Sequence, residues 1–65
     1  MKITVNGTAT EVRADTLAAA LDELGYGDAK VATALNESFV PAAAREQTAL
    51  STGDRIEIVA PRQGG

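Results

Sequence analysis

Met1-Lys2-Ile3-Thr4-Val5-Asn6-Gly7-Thr8-Ala9-Thr10-Glu11-Val12-Arg13 opens the chain, and its reading sets the fold class. Ile3 and Val5 alternate with Lys2, Thr4 and Asn6, the period of two that marks a half-buried strand. Asn6-Gly7 is a favoured pair for a type I′ hairpin turn, whose two central residues both need positive φ. The segment 8–13 is rich in β-branched residues and is expected to return antiparallel. In that register Thr10 and Val12 share the inner face with Ile3 and Val5.

Beyond the hairpin the period changes. Asp15-Thr16 supplies a helix N-cap, because either side-chain oxygen can accept an orphan backbone N–H. Leu17, Ala20, Leu21 and Leu24 follow at i, i+3, i+4 and i+7, one stripe of a helix. Asp22 and Glu23 fall off that stripe, toward water. Gly25 stands where a left-handed C-cap is expected, and Tyr26 should pack at the helix end. The run Val31-Ala32-Thr33-Ala34-Leu35 has the length of a buried central strand. Phe39-Val40 reads as a short strand stopped by Pro41, which cannot donate to a ladder. Residues 42–50 show no clean period and suggest a loop with one helical turn. After the turn Ser51-Thr52-Gly53-Asp54, residues 55–60 form the last strand, with Ile56 and Ile58 on one face. Its apolar content places it inside the sheet, beside the first strand. Pro61 ends it, as an ordinary strand stop or as a stiffener of the exit.

The expected fold class is therefore α+β: a mixed sheet with one main helix packed on one face, so that both apolar sides are buried in two layers. Residues 1–61 make one domain, and 62–65 a flexible tail ending in Gly64-Gly65.

Composition narrows the function. With 65 residues, 45% hydrophobic and 23% charged, the chain can form a small packed core and is not of the disordered class. Cysteine and histidine are both absent. That removes thiolate nucleophiles, disulfides, cysteine zinc sites, the usual general base and the commonest metal ligand. A self-sufficient enzyme is not expected. The net charge of −3 argues against nucleic acid and anionic membrane surfaces as partners. No apolar run approaches the ~20 residues of a membrane helix, and residues 1–5 do not read as a secretion signal, so a cytoplasmic location is expected. Gly25 and Gly27 make no phosphate loop, because the strand–glycine–helix order is missing.

The combination of Ala34-Leu35-Asn36, Val40-Pro41, Thr52-Gly53-Asp54 before Arg55-Ile56-Glu57-Ile58-Val59, and terminal Gly64-Gly65 resembles the ubiquitin-like β-grasp sulfur carriers, along the whole chain. Within that group it is most similar to the sulfur carriers of thiamine biosynthesis. The small subunit of molybdopterin synthase looks alike at both ends, and the compact hairpin at Asn6-Gly7 favours the thiamine group. A ubiquitin-like protein modifier is the other alternative, and a β-grasp binding domain cut from a longer protein a third.

The resemblance implies a cycle at the chain end. A partner adenylating, E1-like enzyme uses ATP and magnesium to turn the Gly65 carboxylate into an acyl-adenylate. Sulfur from a donor such as a cysteine desulfurase then displaces AMP and leaves a thiocarboxylate, which thiazole synthase consumes. This chain itself would bind no cofactor. The chemistry is coherent: a carboxylate is a poor electrophile, and adenylation gives it a leaving group. Gly65 is then the modified residue. Gly64 and Arg62 are candidates for tail recognition, since glycine fits a narrow passage and Arg62 could pair with an acidic groove or only keep the tail soluble. Phe39, Val40 and Val59 are candidates for partner docking. Phe39 could instead be core, whereas an apolar residue on an open sheet face fits a docking surface.

Overall fold

The structure is a computed structural model, and it describes residues 1–60. Pro61 and the expected tail, with Arg62, Gly64 and Gly65, lie outside the described residues.

The opening hairpin forms as the alternation requires. Strands β1 (Lys2–Val5) and β2 (Thr8–Glu11) pair antiparallel with Ile3 opposite Thr10 and Val5 opposite Thr8. Asn6 and Gly7 turn the chain with φ of 50° and 84°, the two positive angles of a type I′ turn. Val12, just past β2, is buried, and its N–H donates to the Met1 carbonyl. The helix α1 (Leu17–Glu23) starts where Thr16 Oγ1 accepts from the Ala19 N–H at 3.2 Å, and it buries Leu17, Ala20 and Leu21. It ends at Leu24, followed by Gly25 at φ +92°, a conformation a side chain would strain.

Strands β3 (Ala32–Leu35) and β4 (Ser38–Val40) form a second hairpin. Its turn residues Asn36 and Glu37 also take positive φ, 51° and 74°. The stretch beyond Pro41 is a 3₁₀-helix over Ala42–Gln47, longer than one turn. The last strand, β5 (Arg55–Val59), enters the middle of the sheet, whose order is β2-β1-β5-β3-β4. It runs parallel to β1 and antiparallel to β3. This corrects one expectation: β5, not β3, is the central strand. β3 lies one place from the edge and fully buries only Thr33 among its own residues.

Ile3, Val12, Leu17, Ala20, Leu21, Val40, Leu50, Ile56 and Ile58 form the core between sheet and helix. Thr33 is buried among them, but its hydroxyl is satisfied: it donates to the Val40 carbonyl at 2.8 Å and accepts from Arg45 Nε at 3.0 Å. Arg45 also donates to the Val31 carbonyl at 2.6 Å, and so ties the 3₁₀-helix to the start of β3. Glu23, expected simply to face water, holds the β2–α1 connection: its carboxylate accepts from the Arg13 and Ala14 N–H groups, each at 3.0 Å. Among the described residues no helix is long and apolar enough to cross a membrane.

Candidate functional site: the open sheet face and the chain exit

Strand alternation decides which residues can meet a partner. On β5, Ile56 and Ile58 point into the core, so Arg55, Glu57 and Val59 point out. On β4, Val40 points in and Phe39 points out. The helix covers only the inner face, and the outer face carries an exposed apolar patch at the β5–β3–β4 end. Phe39 is 69% exposed and Val59 62%, the only large hydrophobics so exposed among the described residues.

The register brings them together. Phe39 lies opposite Ala34, which lies opposite Glu57; one row along, Ala32 lies opposite Val59. Same-face neighbours one row apart are within reach of a large aromatic ring. Phe39, Ala34, Ala32 and Val59 thus form one continuous apolar surface, bordered on β5 by Glu57 and Arg55. Val59 is the last residue of β5, so the patch adjoins the point where the chain leaves the sheet.

Two of the three docking candidates, Phe39 and Val59, are on this surface. The third is corrected: Val40 is 8% exposed and belongs to the core, because neighbours along a strand face opposite ways. Tyr26, as expected, is partly buried against the core at the helix end. The sites expected at Gly65, Gly64 and Arg62 lie outside the described residues.

Two turn asparagines, Asn6 and Asn36, act on β5 as well. Asn6 Oδ1 accepts from the Ile58 N–H at 2.8 Å, and Asn6 Nδ2 donates to the Ile58 carbonyl at 3.1 Å. Asn36 Oδ1 accepts from the Arg55 N–H at 2.9 Å, and Asn36 Nδ2 donates to Asp54 Oδ1 at 3.1 Å. An asparagine opening each type I′ turn is the only sequence signal for this, and it does not reveal where the carboxamide reaches.

Among the described residues, no group of three or more acidic side chains is placed to hold a metal. A groove of about 370 Å³ between α1 and the 3₁₀-helix is lined by Leu21, Asp22, Tyr26, Ala43, Arg45 and Glu46 among others. Arg45 there is already engaged with Thr33 and Val31.

Known proteins of this shape have the same architecture. A crystal structure of a thiamine biosynthesis protein (ThiS) from Geobacter metallireducens superposes with a TM-score of 0.84 at 29% identity, covering all of both chains. A solution structure of a thiamine biosynthesis protein from the same organism gives 0.78 at 26% identity, covering all of this chain and 88% of the other. The fold is the β-grasp expected from the sequence. Among curated proteins, a thiazole synthase from Paramagnetospirillum magneticum is 41% identical over 66 residues. That match takes in all of this chain but only 20% of the relative, so the chain spans about a fifth of its length. The ThiS family model matches residues 3–65, nearly the whole sequence, and the chain belongs to the ThiS family.

Proposed function

We propose that this protein is a sulfur carrier of thiamine biosynthesis that works through its own last carboxylate. The carrying observation is the family match, which runs to residue 65 and so includes the diglycine. The likeness to a thiamine biosynthesis protein over the full length of both chains supports the same reading.

The Gly65 carboxylate is the reacting group. A partner adenylating enzyme, with ATP and magnesium, joins it to AMP and releases pyrophosphate. The terminal sulfur of a persulfide on a desulfurase-type donor then adds to the carbonyl carbon, AMP departs with the bonding pair, and a thiol reductant cleaves the resulting acyl disulfide to leave the thiocarboxylate. The carrier is a substrate of these enzymes and performs no catalysis itself. Gly64 and Gly65 present no side chain to a narrow channel. Arg62 gives the tail a cation for an acidic groove.

Phe39 and Val59 are the docking residues, beside the point where β5 ends. An exposed apolar patch of this kind marks a protein contact. Thiazole synthase is the acceptor. A segment similar to this chain forms part of a longer polypeptide named thiazole synthase in P. magneticum, which favours a partnership between the two activities.

The test adds one alanine after Gly65. With the activating enzyme, ATP and magnesium, the unmodified chain should support ATP–pyrophosphate exchange and the extended chain should not. Exchange at an equal rate by the extended chain would overturn the reading.

A further inference from the structure

Strand β1 ends before β5 does. β1 and β5 pair only at Thr4–Arg55 and Val5–Ile56. The last main-chain bond between them is donated by the Asn6 N–H to the Ile56 carbonyl at 2.9 Å. Asn6 and Gly7 then turn away into β2. In a continuing parallel ladder the carbonyl of residue 6 would accept from the Ile58 N–H, and the N–H of residue 8 would donate to the Ile58 carbonyl. Both groups of Ile58 would lose these partners just before the chain exits at Val59–Ala60. The Asn6 carboxamide supplies both partners instead, accepting at 2.8 Å and donating at 3.1 Å.

We propose that Asn6 is a positioning residue for the carrier's reaction: its side chain extends the β1–β5 ladder by one further pair of hydrogen bonds and fixes the heading on which the chain leaves the sheet. This rests on the reading of Gly65 as the reacting group. Asn36 provides a natural comparison. It occupies the same place in the other type I′ turn, at φ 51° against 50° for Asn6, and its carboxamide also bonds β5. It grips the start of that strand, at Arg55 and Asp54, away from the exit. The apolar docking surface is built on β3, β4 and Val59, and the two carboxamides bond Ile58, Arg55 and Asp54 rather than its apolar residues.

The test compares Asn6→Gly with Asn36→Gly. Glycine accepts the positive φ of both turns, so each change removes a carboxamide without straining the backbone. Hydrogen exchange on the isolated proteins reads the clasp directly: the Ile58 amide should lose protection in Asn6→Gly and keep it in Asn36→Gly. ATP–pyrophosphate exchange with the activating enzyme, well below the melting temperature of both variants, reads its consequence. Asn6→Gly should lower kcat by about tenfold or more while KM moves little, since a misplacement near ~1 Å can cost ~10²-fold. Asn36→Gly should keep kcat near the parent value. Equal kcat for Asn6→Gly and the parent, or an equal loss in both variants, overturns the proposal. If the parent chain itself supports no exchange, the sulfur-carrier reading fails, and the exchange protection of Ile58 still decides whether the clasp exists.

Discussion

Phe39→Ala separates the surface from the scaffold. The Phe39 ring is 69% exposed and stands on an edge strand, so its removal takes little from the core. Exposed substitutions of this kind usually fall within ~0.5 kcal/mol, and the melting temperature should shift by no more than a few degrees. Docking is different. A phenylalanine offers ~200 Å² of surface, about two-thirds of it available here. At ~25 cal/mol per Å² that area carries an upper bound of ~3 kcal/mol. Ordering and imperfect packing consume part of it, and aromatic hot spots typically cost ~2 kcal/mol or more on truncation. A loss of ~1.5–3 kcal/mol is expected, a rise of ~10- to 150-fold in KM for the carrier with its activating enzyme. Steady-state pyrophosphate exchange, with carrier concentration varied, measures this, and kcat at saturation should be nearly unchanged. Phe39→Asp should do at least as much, because it sets an unpaired charge in an apolar contact. An unaltered KM in a variant with unaltered melting would remove Phe39 from the docking surface.

Two further changes test the scaffold. Glu37→Gly should stabilise the protein: a non-glycine residue at φ +74° costs ~1–2 kcal/mol, of which glycine's greater unfolded-state freedom returns ~0.5–1. The ion pair lost with Arg55, 3.6 Å apart with both side chains largely exposed, contributes little. A gain of ~0.5–1 kcal/mol, read as a higher urea midpoint at constant slope, is expected; a lower midpoint refutes the strain. Thr33→Val keeps the buried shape but removes the hydroxyl's bond to the Val40 carbonyl and deprives Arg45 Nε of its acceptor. The cost should be ~1–3 kcal/mol, largely restored by Thr33→Ser, and a Thr33→Val protein as stable as the parent would show the hydroxyl to be dispensable.

Much of this architecture is legible in the residue order, because small domains leave little choice. The 2-residue alternation of Ile3 and Val5 and the Leu17-Ala20-Leu21 stripe each identify one buried face, and two one-faced elements can only pack on each other. The apolar content of residues 56–59 places β5 inside the sheet. Pattern fails where side chains reach across the fold. Val31–Leu35 looks central because it is apolar, yet its small alanines partly face water on a strand one place from the edge. Val40 looks like a docking neighbour of Phe39 because it adjoins it in sequence, yet adjacency on a strand means opposite faces. Glu23 bonding the Arg13 and Ala14 amides, Arg45 bonding Thr33, and Asn6 bonding Ile58 join residues far apart in the chain, and no local spacing encodes them.

The carrier's chemistry rests on its last acyl group. The direct measurement is the intact mass of the protein after incubation with the activating enzyme, ATP, magnesium and a sulfur donor, with fragmentation to locate any change. The predicted result is a gain equal to one oxygen replaced by sulfur, confined to Gly65. A chain that stays at its original mass while the same mixture converts another carrier, or that gains sulfur anywhere but Gly65, would contradict it.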